Sequence, residues 1–180
     1  YLAVPADAAE AQQYVDAFRP FFENEAQIKV GQNLKYDLTV LSHYGVEVKG
    51  ELFDTMLAHY VVEPEQRHNM DYLAETLLHY RTIHIEELIG TGHNQKNMRD
   101  LPPADICDYA CEDADVTLRL YPLLREKMME SDVTSVFSQI EMPLLPVLAR
   151  MEQNGVRLDT EALRQTGDDY RGRLHALEGE

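Results

Sequence analysis

The sequence predicts a helix-rich α/β fold, and three observations carry that reading. Ile28-Lys29-Val30 is a short apolar run of strand character that leads through a polar turn into a helical pattern opening at Leu34. A second, weaker strand pattern over residues 46–53 again runs directly into a helical stretch. Elsewhere apolar residues recur at helical spacing, most clearly where Ile106, Ala110, Ala114 and Leu118 form one stripe. The 180 residues suffice for one domain plus a fragment of another, and a 44% hydrophobic share suits a globular chain.

Taken in order, Tyr1-Leu2-Ala3-Val4 has the character of a strand end, which Pro5 stops. Asp7 is placed to cap a helix from about Ala8 to Phe22, with Ala11, Tyr14, Val15 and Phe18 as its apolar positions. After the strand at residues 28–30, Leu34 to Tyr44 is helical and Gly45 closes it, because glycine takes the left-handed conformation of a helix end without penalty. Asp54 to Val61 and Met70 to Leu78 follow as helices, with Asp54 capping the first and His68 or Asn69 near the start of the second. Residues 81–103 are the least regular. Gly90, Gly92, Asn94, Asn97, Pro102 and Pro103 mark a long loop with room for one short helix at Ile85–Leu88. Long loops in compact domains are often functional. Pro103 suits the first turn of the next helix, and Pro122 is expected to end or bend it. Ser138 to Gln153 reads as helix, with Pro143 and Pro146 staggering its first turns. Asn154-Gly155 ends it, Val156-Arg157-Leu158 is extended, and Asp159 caps a last helix from about Thr160.

Composition sets further bounds. No long uncharged apolar run is present, so no membrane span is expected. No basic-apolar leader opens the chain, and Tyr1 is not an initiator methionine, as expected of a piece of something longer. Cys107 and Cys111 sit at helical spacing and read as small helix residues in a reducing compartment. A zinc site would need a second Cys or His pair at ligand spacing, which the sequence lacks. The scattered histidines read as surface or packing residues. A formal charge of -16 is unlike the basic footprint of a nucleic-acid grip. Either the chain does not hold nucleic acid by itself, or a carboxylate-rich metal site and a separate basic module account for the imbalance.

The chemistry concentrates in two pairs. Tyr109 and Asp113 lie four residues apart, hence on one helix face, beside the apolar stripe. A carboxylate bordering such a stripe is costly to bury unless paired or bound to a metal. Asn33 and Asp37 repeat the spacing directly after a strand, which places Asp37 at the carboxyl end of a sheet, where open α/β sheets build their sites. Each residue also has an ordinary explanation. Asn33 serves as a cap, Tyr36 packs in the core, Asp37 favours the helix dipole, and Tyr109 is simply amphipathic. Glu112 and Asp115 point elsewhere and read as solvated, while Asp71 and Arg67 read as a structural pair.

Several blocks then resemble one family. Gly31-Gln32-Asn33-Leu34-Lys35-Tyr36-Asp37 resembles the second exonuclease motif of the bacterial DNA polymerase I family (family A), and Tyr109-Ala110-Cys111-Glu112-Asp113-Ala114-Asp115 its third, tyrosine-type motif. Phe53-Asp54-Thr55-Met56-Leu57 and the stretch from Arg67 to Glu75 match between them, and Ile140 to Val156 resembles the entry to the polymerase module. The resemblance runs from about Ile28 to at least Leu158.

That resemblance implies a ribonuclease H-like 3′-5′ exonuclease domain over residues 1–130, truncated at its first strands, and the start of the polymerase thumb over 131–180. It implies a parent DNA-directed DNA polymerase in the bacterial cytoplasm, acting in replication and repair on a primer 3′ end and template. It implies Mg2+ or Mn2+ in a two-metal site. Asp113 would bind the nucleophile-side metal, Asp37 would serve the second metal through water, and Tyr109 would hold the attacking water. Asn33 and Tyr36 would lie beside the terminal nucleotide. Ile85 stands where family members often carry an aromatic wedge, which puts melting of the strand end in question rather than hydrolysis. No Asp-x-Glu pair on an apolar strand precedes Asn33, so two of four metal carboxylates are missing. The isolated chain is therefore expected to be a very poor nuclease, and its unpaired strand edges favour self-association. Two rivals stand beside this reading. One is a ribonuclease D-like exoribonuclease, against which the block from Ile140 to Val156 argues. The other is a catalytically dead spacer bracing a polymerase, against which Asn33, Asp37, Tyr109 and Asp113 argue.

Overall fold

In the computed structural model the described residues are 1–179, the side chain of Asn94 excepted. They divide into two compact units, one from Tyr1 to Arg150 and one from Met151 onward. The first unit is helix-rich with one small sheet, which bears out the α/β class.

Helix α1 (Ala8–Phe22) starts where Asp7 accepts hydrogen bonds from the amides of Ala9 and Glu10 at 3.0 and 2.9 Å. Ala11 and Val15 are buried as expected, but Tyr14 and Phe18 are exposed. Strand β1 (Lys29–Gly31) pairs in parallel with β2 (Leu52–Asp54), and α2 (Leu34–His43) makes the crossover between them. The register sets Val30 beside Phe53 and Gly31 beside Asp54. Gly45 sits just past α2 with φ 68°, as a helix-ending glycine should.

The strand pattern over 46–53 shrinks to its last residues. Gly50 turns the chain at φ 85°, and three backbone carbonyls crowd the place where a Cβ would stand. Pairing begins only after that turn. The strand end expected at residues 1–4 is not formed, and Tyr1, Leu2 and Val4 are exposed. A strand persists only where a neighbour takes its backbone groups, and the sheet contains only β1 and β2 among the described residues.

Helices α3 (Thr55–Val62), α4 (Met70–Leu78) and the short α5 (Ile85–Ile89) lead to α6 (Pro103–Glu130), which packs against α3, α4 and β1. Val116, Leu120, Leu124 and Met128 recur every fourth residue on α6 and are all buried. With Phe53, Ala58, Leu73, Ala74 and Phe137 they form the core. Phe53 meets Tyr121 edge-on, with ring centroids 4.7 Å apart. Of the two outcomes expected at Pro122, an end or a bend, the first does not occur: α6 does not end there. Proline there removes the amide that would bond the Leu118 carbonyl, but Leu118 is exposed and water can serve that oxygen. The buried stripe on the opposite face holds the helix together across the gap.

After α7 (Thr134–Val136) the backbone makes a π-helical turn at Phe137–Glu141 before α8 (Met142–Asn154). The irregular turn falls in the first turns of the helix expected from Ser138, where Pro143 and Pro146 were expected to bend or stagger it. The second unit holds α9 (Thr160–Glu178), capped by Asp159 through the Ala162 amide. No residue of α9 is buried, and ion pairs such as Arg164–Asp168 and Arg173–Asp169 run along it.

Candidate active site

Strands β1 and β2 end side by side, and each hands its chain to a helix. Gly31 has no side chain because Leu34 packs over it. Asn33 follows in the left-handed conformation (φ 62°, ψ 49°), which asparagine tolerates better than most residues. This sharp reversal starts α2 at Leu34 and puts Asp37 in its first turn. The carboxylate thus stands beyond the carboxyl end of the parallel pair, the position the sequence reading gave it.

Asn33 does not cap α2 with its side chain. That work falls to Asp54. Its Oδ2 accepts from the Leu34 amide at 2.7 Å, and its Oδ1 accepts from the Asn33 amide at 3.2 Å. The same Oδ1 accepts from Met56 and Leu57 at 2.9 and 3.3 Å, as the cap of α3. One carboxylate, 2% exposed, therefore serves the starts of two helices. The sequence reading gave Asp54 its α3 cap only. Spacing carries no signal for partners 20 and 21 residues away.

Asp37 remains open to solvent on one side. Protein crowding on the other, and then the Asp54 carboxylate, push its pKa up to about 6. Burial also raises Asp54, against four backbone amides that favour its charged form. Tyr36 is 67% exposed, so it is not a core residue.

The second half of the site lies on α6, where Tyr109 and Asp113 stand one turn apart. The phenol and the carboxylate are close enough to shift each other's protonation. Burial, then the Asp113 charge, push Tyr109 up to about 12, so the phenol keeps its proton at neutral pH. Burial raises Asp113 too, opposed by the Tyr109 phenol and reinforced by Glu112 and Asp71.

Two neighbouring acids depart from the expected pattern. Glu112 is not simply solvated. It accepts from the Tyr80 hydroxyl at 2.6 Å and the Ile83 amide at 2.7 Å, pinning the 81–89 segment to α6. Asp71 bonds Thr82 at 2.7 Å and His84 at 3.1 Å, not Arg67. In both cases the partner arrives from the irregular loop, which periodicity does not describe. Asp115 pairs with Arg119 at 2.8 Å on the exposed face.

The structure thus joins Asn33, Asp37 and Asp54 in one group and Tyr109 and Asp113 in another. The charge acting on Asp37 is Asp54, while those acting on Asp113 are Glu112 and Asp71. Asp37 and Asp113 are hard oxygen donors that face other carboxylates rather than cationic side chains, a chemistry that fits Mg2+ or Mn2+. Among the described residues no group of three or more His, Cys, Asp or Glu is arranged to hold a metal ion. What is present is two separate carboxylates, Asp37 on α2 and Asp113 on α6, each with its own acidic neighbours.

The DNA polymerase A family model described as a 3′-5′ exonuclease matches residues 1–129. The DNA polymerase I of Pseudomonas aeruginosa is 37% identical over 99% of this chain and 20% of its own length. That of Rhizobium leguminosarum is 39% identical over 90% of this chain and 16% of its own length. The chain therefore spans about a fifth of the length of these relatives. The polymerase domain of Pol1 from M. smegmatis, solved with DNA primer-template and dNTP, aligns with a TM-score of 0.70 and 23% identity over 89% of this chain and 25% of that one. At that identity the likeness speaks for the fold. The chain belongs to the 3′-5′ exonuclease family of the DNA polymerase I proteins.

Proposed function

We propose that this chain is the proofreading region of a longer DNA polymerase I, and that it carries part of a site that removes nucleotides from a DNA 3′ end. The observation that carries the proposal is the Tyr109–Asp113 pair, a protonated phenol one helical turn from a half-buried carboxylate on the helix packed against β1. A phenol with a pKa of about 12 stays a hydrogen-bond donor and positions a water molecule without surrendering its proton. Asp113 is the direct metal ligand and Asp37 the ligand that acts through water. Asn33 and the exposed Tyr36 lie where a terminal nucleotide would stack and bond. Bound Mg2+ or Mn2+ would supply an activated water and a clamp on the leaving oxygen.

Residues 1–130 form the exonuclease part and 131–180 the start of the polymerase part. The parent acts on primer and template in the bacterial cytoplasm, and no helix of the described residues is long and apolar enough to cross a membrane. With a charge of -16, DNA affinity comes from the remainder of the polymerase. The isolated chain is a very poor nuclease, because its ligands form two incomplete sets. It also self-associates. The two-stranded sheet has no further strand at either edge among the described residues, and Tyr14, Phe18, Phe21 and Ile28 are exposed nearby in sequence. Sedimentation velocity should show association rising with concentration. A monomer at every concentration would remove this part of the proposal.

The test of the function is single-turnover hydrolysis of a mispaired primer 3′ end by the longer polymerase carrying this region. Asp113→Ala should abolish hydrolysis while primer extension continues. Unchanged hydrolysis in the variant would overturn the assignment.

A further inference from the structure

We propose that Asp54 is a positioning residue for the candidate site, the group that ties the amides opening α2, ahead of Asp37, to the start of α3. The proposal rests on the reading of Asn33 and Asp37 as site residues. The geometry that carries it is unusual in two ways. First, the two carboxylate oxygens are divided between helices: Oδ2 serves α2 alone, through Leu34 at 2.7 Å, and Oδ1 serves Asn33, Met56 and Leu57. An ordinary N-cap needs only the bonds to its own helix. Second, α2 has no cap of its own. The residue at its cap position, Asn33, is left-handed and makes no side-chain cap bond. Without Asp54 the first amides of α2 lose their acceptor, and the left-handed turn loses the bond that holds it.

The surroundings reinforce the link. Thr55, next to Asp54 and fully buried, donates to the Gly31 carbonyl at 3.1 Å and also bonds the Gln32 side chain, whose amide donates to the His68 carbonyl at 2.8 Å. The strand end, the turn and the α3 start are therefore bound from both sides. Asp54 is the only member of this set that reaches the amides at which α2 begins, one turn ahead of Asp37. Its charge acts directly on Asp37, and its hydrogen bonds act on the site through the turn.

Amide hydrogen exchange on this chain separates positioning from simple capping. Asp54→Ser keeps a hydroxyl that caps α3 but cannot reach α2. The Asn33 and Leu34 amides should then exchange about tenfold faster, the effect of losing one hydrogen bond of ordinary strength. Amides of α3 and of the Leu120–Leu124 stretch should be unchanged. Asp54→Asn is the second variant. It is isosteric, but its amide nitrogen opposes the Leu34 N–H, so the same local change is expected. Unchanged Leu34 exchange, or equal acceleration in α3 and α6, would overturn the proposal. Mn2+ line broadening adds a readout that a merely structural role would not move. Broadening at Asp37 should be lost in Asp54→Ser while broadening at Asp113 persists, and broadening lost at both or at neither would overturn the positioning role. If the unsubstituted chain shows no broadening, the metal-site reading fails, and exchange still decides the role of Asp54.

Discussion

Replacing Asp37 with asparagine should stabilise the metal-free chain at neutral pH. In the folded state this carboxyl is pushed from 3.8 up to about 6 by crowding and by Asp54. The folded protein therefore holds a proton between those values that the unfolded chain has released. Stability from this group is full below pH 4 and is lost as pH rises through 6, because the charged form is then forced into the fold. The displacement would be worth about 3 kcal/mol in a sealed site. Asp37 is open to solvent on one side, and screening reduces this to about 1 kcal/mol. The assay is urea unfolding of both chains with chelator present, at pH 4 and pH 7.5. At about 2 kcal/mol per molar urea, the variant midpoint at pH 7.5 should lie roughly 0.5 M above that of the unsubstituted chain. The gap should close at pH 4. Taking the difference between variant and parent cancels the opposite contribution of His59, whose pKa burial lowers. A variant less stable at pH 7.5, or a gap independent of pH, would refute the reasoning.

Other consequences follow from the same structure. Glu112→Ala should release the 81–89 segment from α6 by removing its bonds to Tyr80 and Ile83. Limited proteolysis should then cut that loop faster, at a cost of about 1–3 kcal/mol in unfolding free energy. Leu120→Ala empties a fully buried position at the centre of α6 and should cost about 2–5 kcal/mol by chemical denaturation. A loss below about 1 kcal/mol would mean that α6 is not the core helix.

Much of this architecture was legible in residue patterns because it is local. The Asp7 cap, α4 over Met70–Leu78 and the Asp159 cap appear where side-chain chemistry and helical spacing place them. The Tyr109–Asp113 pair was legible for the same reason, since four residues on a helix are one turn. What escaped is long-range. Glu112 looked solvated because its partners come from a loop 29 and 32 residues away. Pro122 was expected to end or bend its helix; the helix runs on through it, because tertiary packing of the stripe from Val116 to Met128 outweighs one missing bond. The strand pattern running from Tyr1 to Val4 failed for a related reason: strand propensity is idle without a partner. Asp54 combined both behaviours, with one local role that was read correctly and one distant role that was not.

The central claim is that Tyr109 and Asp113 on α6, with Asp37 on α2, are ligands and positioning groups for a divalent cation. Calorimetric titration of Mn2+ into this chain and into its Asp113→Ala variant tests it most directly. A weak saturable heat in the unsubstituted chain that disappears in the variant is the predicted result. Identical titrations, with or without heat, would contradict it.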